Sequence, residues 1–101
     1  MIIDPTALAA LGSDAHLVDV REPDEFAAAH VAGAVNIPLS TLPSRLGELP
    51  TDRPVHIMCL SGGRSAQATA FLRGQGVDAV DVAGGIQRWY GEGLPVIQGA
   101  A

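Results

Sequence analysis

The sequence of 101 residues contains no lysine, one cysteine and only four aromatic side chains. With Cys59 alone, an internal disulfide, a dithiol redox pair and a zinc site of several thiolates are all excluded. His16, His30 and His56 show no ligand-like spacing to one another or to Cys59, so no metal site is expected. Six arginines, scattered singly at 21, 45, 53, 64, 73 and 88, face eleven carboxylates, giving a net charge of −5. Nucleic-acid binding needs clustered positive charge and is excluded as a function. No apolar run approaches the ~18 residues of a membrane span. The start, Met-Ile-Ile-Asp-Pro-Thr, lacks the positive stretch and long apolar segment of a secretory leader. The expectation is a cytoplasmic protein with no membrane or nucleic-acid partner.

What the sequence does have is core material, with 48% hydrophobic against 17% charged residues. That composition rules out a disordered tail. The length suits one domain over residues 1–101, and the initial Met and even patterning argue for a complete chain. Short apolar runs alternate with helical stretches. Asp4-Pro5 reads as an N-cap and first helical proline, with Gly12 closing a helix over Pro5–Leu11. His16–Val20 reads as a strand, Glu22–His30 as a helix and Ala34–Pro38 as a short strand. Ser40–Leu49 presents Leu42, Leu46 and Leu49 at helical spacing. Pro54–Cys59 is nearly all apolar, as a strand buried on both faces would be. Ser65–Arg73 reads as a helix with Ala68, Phe71 and Leu72 on one face, stopped by Gly74 and Gly76. Val77–Val82 reads as a strand and Gly84–Tyr90 as a helix. The alternation predicts an α/β fold with a central, mostly parallel sheet.

Ligands of open α/β sheets sit beyond the carboxyl ends of the strands, and Cys59 falls there. Gly62 and Gly63 can turn successive N–H groups inward as an anion nest. The helix starting near Ser65 adds unpaired amides and a dipole, and Arg64 adds a permanent charge with forked donors. Such surroundings lower a thiol pKa from ~8.5 to between ~3.5 and ~7.5. Without the following loop, Cys59 would read as a small buried hydrophobe. Cys-x-x-Gly-Gly-Arg-Ser running into a helix reverses that reading to a thiolate cradled by amides.

Three stretches resemble the signatures of the rhodanese family, in the family's order. Leu17-Val18-Asp19-Val20-Arg21-Glu22-Pro23-Asp24-Glu25-Phe26 with His30–Pro38 is similar to its opening signature, Cys59–Ser65 to its active-site loop, and Gly84–Trp89 with Gly93–Val96 to its closing signature. The resemblance runs from about Leu17 to Val96. It implies a rhodanese-like fold of about five strands with helices on both faces. It also implies sulfur transfer without a cofactor. Cys59 would take the outer sulfur of a small anionic donor such as thiosulfate as a persulfide, and an acceptor, cyanide in the usual assay, would remove it in a ping-pong cycle. The amides of Leu60, Ser61, Gly62, Gly63, Arg64 and Ser65 would stabilise that persulfide, and Arg64 would hold the donor. The alternatives are a protein-binding or regulatory module, or a carrier that exchanges sulfur with a partner protein.

Related phosphatases and arsenate reductases place five residues between cysteine and arginine. Here there are four, and no acidic residue adjoins Arg64 in sequence to act as general acid, so phosphate chemistry is disfavoured. The signature puts Asp19 and Arg21 near the site, where an ion pair or loop-orienting role fits. His30 reads as a hydrogen-bonding turn residue, His56 as a core or interface histidine, and Trp89 as packing against the sheet. Ser61 and Ser65 offer side-chain hydrogen bonds. Leu60 stands where family members often carry a basic residue, which predicts weaker thiosulfate affinity.

Overall fold

The four residues of Val55–Met58 are all buried, as a strand with helices on both sides requires. A computed structural model describes residues 1–99, and this strand lies at the middle of its sheet. In chain order the strands are β1 (Ile2–Ile3), β2 (His16–Asp19), β3 (Ala29–His30), β4 (Val35–Asn36), β5 (Val55–Met58), β6 (Ala79–Val82) and β7 (Ile97–Gln98). The helices are α1 (Pro5–Leu11), α2 (Pro23–Ala28), α3 (Gly63–Gly74) and α4 (Gly85–Gly91). Five strands form one sheet in the order β1-β6-β5-β2-β4, with every pairing parallel. The expected α/β class with a central parallel sheet is what the chain forms.

Two apolar layers cover the sheet. On one face Val18, Val55, Ile57 and Ala79 pack with Ala68 and Leu72 of α3 and with Leu42 and Leu49. On the other, Leu17, Met58 and Val82 pack with Leu8 of α1 and with Ile86 and Trp89 of α4. The split follows the period of two along a strand, which sends Ile57 and Cys59 one way and Met58 the other. Helix α1 starts as its sequence dictates: the Asp4 carboxylate accepts from the Ala7 amide at 2.9 Å, and Pro5 occupies the first turn. Trp89 packs in the second layer, and its Nε1 donates to the Pro95 carbonyl at 2.8 Å.

Three expectations are corrected. The segment Leu39–Glu48 is a kinked run of 3-10 turns rather than an α-helix, with Arg45 outside helical angles. Pro43 has no N–H to give to a helical ladder, although Leu42 and Leu49 still reach the core. The helix expected over Glu22–His30 ends at Ala28, and Ala29–His30 instead pairs antiparallel with Ile97–Gln98. Phe71 is 36% exposed and does not share the buried face of Ala68 and Leu72. The last two residues of the tail lie outside the described part. Among the described residues, no helix is long and apolar enough to cross a membrane.

Burial holds the pKa of His56 below its ordinary value, and its Nδ1 has no hydrogen-bond partner. His16, on the neighbouring strand, is lowered by burial too. The unfolded chain therefore takes up protons first at these histidines, so their contribution to stability is fully present above about pH 6.5 and is lost as the pH falls below it. Denaturant titrations at about pH 7.5 and about pH 5.5 should show this loss, and His56→Leu should make it smaller.

Candidate active site

Beyond the carboxyl end of β5 the chain turns sharply from Cys59 into α3. Two backbone bonds set that turn: the amides of Ile86 and Gln87, at the start of α4, donate to the carbonyls of Cys59 at 2.9 Å and Leu60 at 3.0 Å. A planar trans peptide points its N–H opposite its C=O. Drawing these two carbonyls toward α4 therefore turns the amides of Leu60 and Ser61 to the other side. Close approach of α4 requires Gly85, where φ is +60° and a Cβ would overlap the carbonyls of Cys59 and Leu60. Gly62, with φ +124°, completes the turn as the residue preceding α3.

The Cys59 sulfur sits at the floor of this loop, with the residue only 1% exposed. The Gly62 amide donates to Sγ at 3.1 Å, and the Ser65 Oγ is 3.3 Å from it. As a thiol, Cys59 donates to Ser65, whose hydroxyl donates to the Gly62 carbonyl at 3.2 Å. On ionisation that hydroxyl can rotate to donate to sulfur. Burial pushes the thiol pKa up. Hydrogen bonds from the Ser65 hydroxyl and from the amides of Ser65, Gly62 and Ser61 outweigh it, leaving the pKa below the ordinary thiol value. The arrangement favours a thiolate whose charge is spread over preorganised dipoles.

The Arg64 guanidinium makes two bonds to the Glu25 carboxylate, Nη1–Oε1 at 2.6 Å and Nη2–Oε2 at 2.9 Å. An acidic group from another element thus lies against Arg64. Its bond to Arg64 brings the Glu25 pKa down to about 2, so at neutral pH it has no proton to give and is no general acid.

Asp19 and Arg21 form a buried ion pair, with Nη2–Oδ2 at 2.8 Å and Nε within 3.0 Å of Oδ1. Arg21 also donates to the carbonyls of Glu25 at 3.3 Å and Ala29 at 2.6 Å. The pair therefore anchors α2, which carries Glu25 to the site, and makes no bond to the loop of Cys59–Ser65. Asn36 ties β4 to the same corner by donating to the carbonyls of Asp19 and Arg21. His30 keeps a structural place, with Nδ1 2.9 Å from the Phe26 carbonyl and its ring stacked on Phe26. Leu60 leaves its side chain 39% exposed at the rim.

Two residues escaped the reading of the sequence. Glu25 lies 39 positions from Arg64, and its only local signal was its place in the first turn of α2, where it accepts from the Glu22 amide. Asp81 stands on β6 opposite Ile57, near enough to the Ser65 hydroxyl for that group to act on its carboxyl. Burial raises its pKa, and its Oδ1 is buried without a partner. Among the described residues no cluster of three or more His, Cys, Asp or Glu side chains is placed to hold a metal ion.

This fold and loop define a class of α/β domain with a single cysteine at the carboxyl end of its central strand. The model of the rhodanese-like domain family matches residues 4–92. The chain belongs to that family. It is 44% identical over 85 residues to a protein of Allochromatium vinosum named sulfurtransferase, covering 83% of this chain and 79% of that one. It is also 44% identical over 79 residues to an uncharacterized protein of Bacillus subtilis, YqhL, covering 77% of this chain but 63% of the relative's length. The crystal structure of a rhodanese-related protein from Thermoplasma volcanium superposes with a TM-score of 0.91 at 38% identity, covering 95% of this chain and 96% of that one.

Because α4 and the loop are in backbone contact at Gly85, Gly85→Ala should lower stability by about 2 kcal/mol or more. The measurement is the urea midpoint at unchanged slope.

Proposed function

We propose that this chain is a sulfurtransferase in which Cys59 accepts a sulfane sulfur from thiosulfate or a persulfide donor and passes it to a thiophilic acceptor such as cyanide. The observation that carries this reading is the near-buried Sγ held by the Gly62 amide and the Ser65 hydroxyl, with its pKa lowered despite burial. A thiolate at the floor of so tight a loop is open to a slim, terminal sulfur atom rather than to a tetrahedral group. The name of the Allochromatium vinosum relative supports the same reaction class.

In the first step the Cys59 thiolate attacks the outer sulfur of the donor. The Sγ–S bond forms as the donor's S–S bond breaks, and thiosulfate releases sulfite with the electron pair. The product is a Cys59 persulfide. The amides facing the loop, with that of Gly62 already on sulfur, receive the charge as it moves outward by one atom. In the second step the acceptor attacks that outer sulfur, forming thiocyanate if it is cyanide, and the Cys59 thiolate is restored. Two transfers replace one, and each uses a leaving group that is stable as an anion. No general base is required, because the nucleophile is already deprotonated. The reaction needs surroundings in which a free thiol persists, which a reducing cytoplasm supplies.

The test is the intact mass of the reduced protein after incubation with a sulfur donor. Loading by thiosulfate or by an alkyl persulfide should add one sulfur atom, which cyanide removes and which Cys59→Ser never gains. Failure to gain sulfur from both donors, with the thiol still titratable, would replace transfer by a protein-binding role.

A further inference from the structure

The cradle that Cys59 sits in carries little uncompensated positive charge. Of the arginines at this end of the sheet, Arg21 is buried against Asp19, Arg64 is bonded at two points to Glu25, and Arg88, packed on Gly84 beside the loop, faces Glu92 at 3.5 Å. The end of the Arg64 fork that would take a sulfonate by two hydrogen bonds is thus filled by the protein's own carboxylate. Glu25 is not free to swing away. Its Oε1 also accepts from the Glu22 amide at 2.9 Å, and its backbone carbonyl accepts from Arg21. Leu60, the exposed side chain directly after Cys59, adds an apolar edge where a cation would have helped an anion.

Resting on the reading of Cys59 as a sulfur acceptor, we propose that Glu25 determines donor specificity: by matching the charge of Arg64 it sets the site against doubly charged thiosulfate and in favour of an alkyl persulfide, R–S–SH. A thiosulfate ion would bring two negative charges beside a thiolate and a carboxylate with one arginine between them. An alkyl persulfide brings carbon to the Leu60 edge and a terminal sulfur to Sγ. The step balances without an outside oxidant. The Cys59 thiolate forms a bond to the terminal sulfur, the donor's S–S bond breaks, and R–S⁻ leaves with the electron pair. It then takes the proton from the new persulfide, giving R–SH and Cys59–S–S⁻.

The experiment follows persulfide loading of Cys59 by intact mass over time, as a function of donor concentration, with thiosulfate and with hydroxyethyl persulfide. Wild type, Glu25→Gln and Glu25→Asp are compared. Glu25→Gln keeps an oxygen for Arg64 and removes the charge, so the ratio of thiosulfate to hydroxyethyl persulfide loading efficiency should rise about tenfold. The gain should appear in the concentration dependence for thiosulfate. Glu25→Asp restores the carboxylate and should return the ratio to within about twofold of wild type. An unchanged or lowered ratio in Glu25→Gln overturns the assignment while leaving sulfur transfer intact. Absence of loading from either donor in every protein overturns the sulfur-transfer reading and this inference together.

Discussion

Two hydrogen bonds from the start of α4 to the carbonyls of Cys59 and Leu60 decide what the loop can do. They are backbone bonds, so the side chains of Ile86 and Gln87 do not enter; what enters is how near α4 can come. Gly85 answers that, since any Cβ there would meet the same two carbonyls. With the carbonyls held outward, the amides that follow them face the other way, and the sulfur is presented with donors before any charge develops. The sheet contributes the rest of the geometry. β5 is central and parallel to both neighbours, so its carboxyl end meets the end of β2 and the loops that follow at a common edge.

A second constraint runs outward from Asp19. Its carboxylate holds Arg21, Arg21 holds the carbonyls of Glu25 and Ala29, and the Glu25 side chain holds Arg64. Each link is charge-assisted, and the innermost pair is buried, where removing one partner would strand the other. The outer pair is different: Arg64 and Glu25 have side chains 35% and 30% exposed, so solvent screens it and it contributes less to stability than to where charge lies. The same residues thus shape the wall of the site electrically while their buried partners fix it mechanically.

The site was legible from sequence to the extent that it is local. A cysteine, two glycines and an arginine fall within the seven residues Cys59–Ser65, between an apolar strand and a helix, and Gly62, Cys59 and Ser65 meet as their spacing implies. Glu25 and Asp81 were not legible, because pairing across 39 residues and across a sheet leaves no mark in either local pattern. The fold divides the same way. Strands of four residues with buried patterns, such as Val55–Met58, declared themselves. Ala29–His30 and Ile97–Gln98 are each two residues long, too short for a period, and exist because each finds the other. In Leu39–Glu48 the leucine spacing reported that Leu42 and Leu49 reach the core but not the conformation, which is a run of 3-10 turns that includes Pro43 and kinks at Arg45.

Hydrogen bonds, more than a neighbouring charge, favour the Cys59 thiolate. The most direct measurement is a pH titration of the thiolate absorbance of the folded protein beside Ser65→Ala, which removes one donor and leaves the backbone amides. A wild-type midpoint below the ordinary thiol value of about 8.5, moved upward by about one pH unit in Ser65→Ala, is the predicted result. A wild-type midpoint at or above the ordinary value, or one that Ser65→Ala leaves unmoved, would contradict it.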